Sequence, residues 1–234
     1  MNIKKSIPNI VTCCNLLSGC IACVMALEGN LSMATLWIII AAVFDFCDGL
    51  TARLLKCYSS MGKELDSLGD VVSFGVAPGF MLFSLLQKTC TYMTEDPTGG
   101  SYIPYIAFVI PVFSGLRLAK FNIDSRQTTS FIGLPVPAHA LFWASLSCAM
   151  LPFVSIHPTA FVIGFSLLAI VTSLLLVSGI PMFSLKIHSL QWKGNECRYI
   201  LLICGVVFIA FFHVLGIAGT MLLYILLSIF NKGK

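Results

Sequence analysis

The sequence predicts an all-α membrane protein, a bundle of about eight transmembrane helices formed by a single domain over residues 1–234. Of these residues 58% are hydrophobic and only 10% are charged, whereas a soluble domain carries about 25% charged residues. The mean hydropathy is +0.94. Apolar stretches of about 20 residues, long enough to cross the hydrocarbon core of a bilayer, recur along nearly the whole chain. A soluble globular domain is therefore excluded.

Eight stretches are candidates for these transmembrane helices. They occur at residues 8–27, 31–55, 64–87, 102–121, 133–153, 158–180, 199–214 and 217–231. The first six are long enough to span a bilayer. The last two share only about 32 residues, interrupted at 213–219, so each is short. One long bent helix is the alternative for this C-terminal region.

Basic residues indicate how the helices are oriented. Lys4 and Lys5 precede the first apolar stretch, and because no small-residue cleavage site follows them, we expect a first transmembrane helix rather than a removed signal peptide. Lysine and arginine concentrate on the cytoplasmic side of membrane proteins. Eight spans place the basic loops and Lys232 and Lys234 on that side, whereas seven would put these two lysines outside. Both termini are therefore predicted to be cytoplasmic.

The net charge of +4 is explained by this topology, so no nucleic-acid partner is expected. The ten cysteines fall mostly within apolar spans, where free cysteine behaves as a small buried hydrophobic residue. Cys20 and Cys23 have the spacing of a redox pair, but they lie in a predicted membrane helix without the βαβ context of such a motif.

Four of the ten acidic residues of the chain are the aspartates of the stretch from Asp45 to Asp70. Acidic side chains in membrane segments are costly and indicate a functional site. Asp48 and Arg53 follow Asp45 by three and eight positions, which places them on one helical face. Asp66 and Asp70 share a face in the same way. Two antiparallel helices joined near residues 56–61 would bring all four carboxylates together beside Arg53, near the cytoplasmic ends of the helices.

Four converging carboxylates cannot all stay ionised unless a cation neutralises them. Buried ion pairs alone are the structural alternative, but Arg53 and Lys63 cannot balance four charges. Oxygen ligands favour Mg²⁺, Mn²⁺ or Ca²⁺, and the four histidines have no zinc-site spacing. Two divalent cations could bind a diphosphate between them. The planar guanidinium group of Arg53 could donate two hydrogen bonds to a phosphate. A cation-coupled transporter is the alternative from another class, although the acids lie at one end of their helices and not at the midplane.

The same stretch matches the pattern D-x2-D-G-x2-A-R-x8-G-x3-D-x3-D at every specified position, and in this it resembles the CDP-alcohol phosphotransferase family. Segments 7–12, 65–78, 133–137 and 180–186 are similar to the members of that family that use serine as the acceptor. The resemblance covers residues 7–190, which implies a six-helix family core, with the C-terminal helices at 199–231 added to it.

The resemblance implies an enzyme of phospholipid biosynthesis that transfers the phosphatidyl group of CDP-diacylglycerol to the hydroxyl of L-serine and releases CMP. It implies that two divalent cations, Mg²⁺ or Mn²⁺, bind to the four aspartates, and that Asp70 is also the general base. Further positions that match family residues are expected to contact CDP-diacylglycerol. These are Gly49, Arg53, Ser59 and Gly62, with Asn9 and Thr12 on the nucleotide side.

The acceptor pocket is less well defined by the sequence. Arg117 and Asn122 are expected on the acceptor side, whereas Lys120 suits a snorkelling anchor. Glycerol 3-phosphate or inositol phosphate are the alternative acceptors, and these would require a denser basic pocket than Arg117, Lys120 and Arg126 supply. The resemblance also implies a homodimer in the cell (inner) membrane, with its active site on the cytoplasmic side.

Overall fold

The computed structural model describes residues 3–57, 59–93, 102–123, 131–183 and 195–230. Within these ranges the chain is a bundle of apolar helices. They are α1 (Ile3–Leu27), α2 (Leu31–Leu55), α3 (Ser60–Val71), α4 (Ala77–Thr91), α5 (Val109–Ile123), α6 (Val136–Met150), α7 (Pro158–Val177), α8 (Glu196–Phe212) and α9 (Val214–Phe230).

Short irregular turns lengthen three of these helices. A π-helical turn at Val72–Val76 joins α3 to α4, so that Ser60–Thr91 is one continuous helix of 32 residues. The 3₁₀ turns at Ile103–Phe108 and Leu151–Phe153 extend α5 and α6. Among the described residues, six helical units are then long and apolar enough to cross a membrane. The predicted core of six long helices in a multi-pass membrane protein is confirmed.

The C-terminal region forms two separate helices of 17 residues each. The chain turns at His213, which has a φ of 50°. Helix α9 then folds back so closely that a β-carbon on Gly216 would collide with the Phe208 carbonyl group of α8. The prediction of two short helices is therefore confirmed, and the single bent helix is excluded.

A tight connection joins α2 to α3 and positions the aspartate stretch. Helix α2 ends at Leu55, and its C-cap residue Lys56 has a left-handed conformation with a φ of 51°. The Cys57 backbone N–H bonds back to the Ala52 carbonyl at 3.0 Å. Helix α3 then begins with Ser59 as its N-cap, because the Ser59 Oγ accepts a hydrogen bond from the Gly62 N–H at 2.9 Å. The predicted turn near residues 56–61 is present.

Small residues allow close packing around the continuous α3–α4 helix. A β-carbon on Gly79 would lie 2.9 Å from Pro111 of α5, and one on Gly75 would lie 3.0 Å from Ser114 of the same helix. The centre of the bundle is closed by large side chains, including fully buried Phe74. This packing holds α5 against the helix that carries Asp66 and Asp70.

The C-terminal ends of α5 and α7 lie together at the end of the bundle that carries the aspartates. Strands β1 (Phe131–Ile132) and β2 (Pro181–Met182) form an antiparallel pair in which Phe131 is opposite Met182. The Lys120 Nζ donates to the Val177 carbonyl at the end of α7, at 3.3 Å. The Lys63 Nζ donates to the Asn122 carbonyl at the end of α5, also at 3.3 Å. These contacts enclose one end of the bundle.

Candidate active site

Three aspartates form a compact cluster between α2 and α3. Asp45 and Asp48 lie one turn apart on α2, and Asp66 faces them from α3. One carboxylate oxygen from each residue lies within 4.8 Å of the other two. Asp48 is 6% exposed, and its Oδ2 accepts a hydrogen bond of 2.7 Å from the Thr12 hydroxyl of α1. The two helical faces therefore meet as their spacing predicts.

Asp70 lies beside this cluster, one turn beyond Asp66 on α3. Its carboxyl group is next to that of Asp45, and it is 8% exposed. Its Oδ1 accepts a hydrogen bond of 3.3 Å from the Asn15 side chain. The structure thus brings all four acidic side chains together, three in the compact cluster and Asp70 at its edge.

The acidic cluster fits a divalent cation. Every donor atom in it is a carboxylate oxygen, which is the ligand type that Mg²⁺ and Mn²⁺ prefer. The Asp66 Oδ1 is buried and has no hydrogen-bond partner among the described residues, although buried polar atoms are normally bonded. The Arg53 Nε donates to the Gly49 carbonyl of its own helix at 2.9 Å. A bound cation would give the Asp66 oxygen its missing partner.

A cavity of about 580 Å³ opens beside the cluster, and Asp48 and Asp66 form part of its wall. All the residues predicted to contact the CDP-diacylglycerol headgroup line this one cavity, namely Asn9, Thr12, Gly49, Arg53, Ser59 and Gly62. Four elements contribute to the lining, since Phe121 reaches it from α5. Lys63 is a second cation in the wall, which the sequence analysis did not assign to this site.

Gly62 lies where α1 and α3 approach each other at the cavity. A β-carbon at this position would lie 2.9 Å from the Ser59 Oγ and 3.0 Å from the Asn9 Oδ1. Gly49 is different, because a β-carbon there would meet only the Arg53 Nη2, at the ordinary contact distance of 3.7 Å. The absence of a side chain at Gly49 is therefore not imposed by packing and leaves space in the cavity.

Arg117 is a buried cation on the α5 side of Asp70. It is 7% exposed, and its guanidinium carbon lies over the Phe121 ring, 4.9 Å from the ring centroid. Its Nε has no hydrogen-bond partner among the described residues. Asp70 and Tyr224 are its electrostatic neighbours. Arg117 therefore has unused donor capacity close to the proposed base.

Asn122 occupies a different environment. Its Nδ2 donates to the Ser67 Oγ of α3 at 2.8 Å. Its backbone carbonyl accepts a hydrogen bond from the Lys63 ammonium group. These bonds tie the end of α5 to α3 next to Asp66. An acceptor role for Asn122 stays a prediction, and its contacts in the structure are those of a link between helices.

Sequence reasoning missed two polar residues near the site. Asn15 contacts Asp70, and its spacing from Asn9 and Thr12 along α1 could have revealed it. Tyr224 lies on α9, where its hydroxyl donates to the Phe183 carbonyl at 3.1 Å and the two rings are 5.0 Å apart. The sequence offers no signal for Tyr224, because the C-terminal helices carry no motif.

The family model for CDP-alcohol phosphatidyltransferases matches residues 5–183. Several relatives are named CDP-diacylglycerol–serine O-phosphatidyltransferase. The Bacillus subtilis protein is 36% identical over 135 residues, which cover 56% of this chain and 69% of the relative. The Methanocaldococcus jannaschii protein is 32% identical over 200 residues, covering 84% and 85%. The Helicobacter pylori protein is 29% identical over 243 residues, covering 97% and 95%.

Proposed function

Because the chain belongs to the CDP-alcohol phosphatidyltransferase family, we propose that it transfers the phosphatidyl group of CDP-diacylglycerol to the hydroxyl of L-serine. The products are phosphatidylserine and CMP. The observation that carries this proposal is the cavity beside the acidic cluster, whose wall contains every residue predicted to contact the headgroup. The names of the relatives support serine as the acceptor.

The donor substrate suits the charges and dimensions of the cavity. Its volume of about 580 Å³ is within the range of roughly 300–1,000 Å³ for small-molecule sites. Arg53 and Lys63 bring two positive charges to the wall, and we assign them to the diphosphate. Asn9 and Thr12 supply polar groups from α1 on the nucleoside side. Gly49 and Gly62 leave room for the part of the headgroup that lies against the protein backbone.

The reaction exchanges one phosphorus–oxygen bond for another. Asp70 accepts the proton of the serine hydroxyl, and the serine oxygen bonds to the phosphorus that carries diacylglycerol. The bond from that phosphorus to the bridging oxygen breaks, and CMP leaves with the bridging oxygen and the bonding electrons. Asp45, Asp48, Asp66 and Asp70 would hold two divalent cations, Mg²⁺ or Mn²⁺. When bound, such cations stabilise negative charge on the diphosphate oxygens.

We place the active site at the cytoplasmic side of the cell membrane. The protein is a multi-pass membrane protein, and its lipid donor keeps the acyl chains in the bilayer while the nucleotide lies at the surface. The positive-inside rule assigns the basic loops to the cytoplasm. Arg126, Lys186, Lys193, Lys232 and Lys234, which contribute to that assignment, lie outside the described residues.

An acceptor panel tests the proposed function. Purified protein with CDP-diacylglycerol and Mn²⁺ is expected to release CMP when L-serine is added, and mass spectrometry of the lipids should identify phosphatidylserine. Glycerol 3-phosphate and inositol phosphate should give little CMP, because a phosphorylated acceptor needs more positive charge than Arg117 supplies beside Asp70. Release with a phosphorylated acceptor and none with serine would contradict the proposal.

We further propose that Arg117 binds the serine carboxylate. Hydrogen bonds to charged groups contribute about 1.5–3 kcal/mol, so Arg117→Ala is expected to lower kcat/KM for serine by roughly 10- to 100-fold. The KM for CDP-diacylglycerol should stay near the wild-type value, because Arg117 does not line the nucleotide cavity. Steady-state kinetics with each substrate varied in turn would measure both effects.

Lys120→Ala is the matched control, since Lys120 lies on the same helix but is exposed and donates to the Val177 carbonyl. It should retain wild-type serine kinetics. Arg117→Lys keeps the charge and loses the planar fork, and an intermediate kcat/KM is expected. Unchanged serine KM and kcat in Arg117→Ala would exclude the carboxylate role.

A further inference from the structure

One face of α1 extends along the active site from the cavity to Asp70, the proposed general base. Asn9, Thr12 and Asn15 are spaced by three residues and therefore lie along the same side of the helix. Asn9 and Thr12 line the cavity, and Thr12 donates to Asp48. Asn15 lies one turn further along, outside the cavity lining, and donates to Asp70. Each polar residue of this face meets a different part of the site.

Asn15 is held firmly in place. It is fully buried, and its backbone carbonyl accepts a hydrogen bond of 3.0 Å from the Ser73 hydroxyl of the π-helical turn. One turn further along α1, Gly19 packs so closely that a β-carbon there would lie 2.6 Å from the Ser73 Cα. Gly69, next to Asp70, faces Asn15, since a β-carbon there would lie at the ordinary contact distance of 3.7 Å from the Asn15 Nδ2. This packing fixes α1 against the helix that carries Asp70.

The chemistry of the two side chains determines how the Asn15 amide is oriented. An ionised carboxylate only accepts hydrogen bonds, whereas the amide has a donating NH₂ end and an accepting oxygen. The donor end therefore faces the Asp70 Oδ1, and the Asn15 Oδ1 points elsewhere, without a partner among the described residues. This bond engages the Oδ1 of Asp70, and Asn15 makes no bond to the Asp70 Oδ2.

We infer that Asn15 is a positioning residue for Asp70. It holds the carboxyl group by one oxygen, so that the second oxygen is presented to the serine hydroxyl in a fixed orientation. This inference rests on the proposed function, in which Asp70 accepts the hydroxyl proton. Because Asn15 does not line the cavity, its contribution concerns the step at Asp70 and not the binding of CDP-diacylglycerol.

The test compares Asn15→Thr with Asn15→Val, two side chains of the same shape that differ in one hydroxyl donor. Thr12 shows that a threonine on this face of α1 reaches an aspartate of the site. Asn15→Thr is expected to keep at least about a third of the wild-type kcat. Asn15→Val should lose roughly 10- to 100-fold, the range expected for a hydrogen bond to a charged group. Both variants should keep the KM for CDP-diacylglycerol within about twofold of the wild type. The side chain at position 15 does not line the cavity where this substrate is proposed to bind.

Two measurements separate positioning from a packing role. In an Asp70→Asn background the threonine and valine variants should have equal residual activity, because residues that act through one another are not additive. Mn²⁺ affinity, measured by electron paramagnetic resonance of the purified protein, should be up to about 10-fold weaker for Asn15→Val than for Asn15→Thr, as for other groups that orient metal ligands.

The inference is overturned if the two variants have equal kcat and equal Mn²⁺ affinity, or if their difference persists without Asp70. Ser73→Ala is the packing control, since it removes the bond to the Asn15 backbone but leaves the amide contact with Asp70. It should keep kcat within about twofold of the wild type, whereas a loss as large as that of Asn15→Val would assign the effect to helix packing. Failure of the proposed function gives a different result, because the wild-type protein itself would then show no serine-dependent release of CMP.

Discussion

Asp70→Asn is expected to lower serine-dependent CMP release by about 10²- to 10⁴-fold, the usual contribution of a general base. Asparagine has the same shape as aspartate and its oxygen can still accept the hydrogen bond from Asn15, so the packing of α1 against α3 should be kept. What is lost is the proton acceptor and one negative charge beside the acidic cluster. The initial rate of CMP formation at saturating serine measures the effect.

Glu64→Gln is the matched control for this substitution. Glu64 lies on the same helix and is exposed, outside the acidic cluster and the cavity lining. The activity of the Glu64→Gln variant should stay within about twofold of the wild type, because substitutions at surface positions without such contacts rarely change stability by much. Liposomes containing either protein should show no ion flux. Flux that is abolished by Asp70→Asn, with no CMP release from the wild type, would favour the transporter alternative.

The membrane spans could be predicted from the sequence because the hydrophobic signal is strong and local. Each predicted span needs only the composition of its own 20 or so residues. The aspartate cluster could also be predicted, since Asp45 and Asp48 share one helical face and Asp66 and Asp70 share another. A short connection near Ser59 leaves the two helices little freedom except to face each other. Local spacing was therefore sufficient for both results.

The π-helical turn at Val72–Val76 could not be predicted, because its cause lies in tertiary packing. It begins directly after the helix that carries Asp70 and contains Ser73, which bonds to α1 and packs against Gly19. Such single turns often occur at functional sites. The residues of the turn do not predict it. Gly75, which lies within the turn, is equally consistent with an ordinary helix that packs closely against α5.

The acceptor side could be predicted only in part. Arg117 and Asn122 are polar residues five positions apart near the end of one predicted span, so the sequence assigns both to the acceptor. The structure separates them, because Arg117 is buried near Asp70 and its Nε has no hydrogen-bond partner within the described ranges, whereas the Asn122 amide bonds to Ser67. Asn15 was missed for a related reason. Its partner Asp70 is 55 positions away in the chain, and the spacing of Asn15 from Asn9 and Thr12 does not by itself identify that partner.

Removal of divalent cations is expected to abolish CMP release, and added Mn²⁺ or Mg²⁺ should restore it. The cluster brings at least three carboxylates within 4.8 Å of one another, and without a cation their mutual repulsion opposes a fully ionised site. Protein dialysed against EDTA should therefore lose at least about 10³-fold in rate, since metal ions contribute several kcal/mol to such displacements. Titration of each metal into the apoprotein, with CMP release as the readout, measures the recovery.

Asp66→Asn gives the strongest test of how the cations are held. The Asp66 Oδ1 is buried and has no hydrogen-bond partner in the part of the chain that the structure describes, so its burial is unfavourable unless a cation binds there. The variant should need a higher Mn²⁺ concentration for half-maximal activity, whereas Asp70→Asn should stay slow even at saturating Mn²⁺, because it also lacks the base. Full turnover of the wild type in excess EDTA would exclude the metal assignment. If saturating Mn²⁺ alone restored the rate of CMP release in Asp70→Asn, Asp70 would be a metal ligand and not the general base.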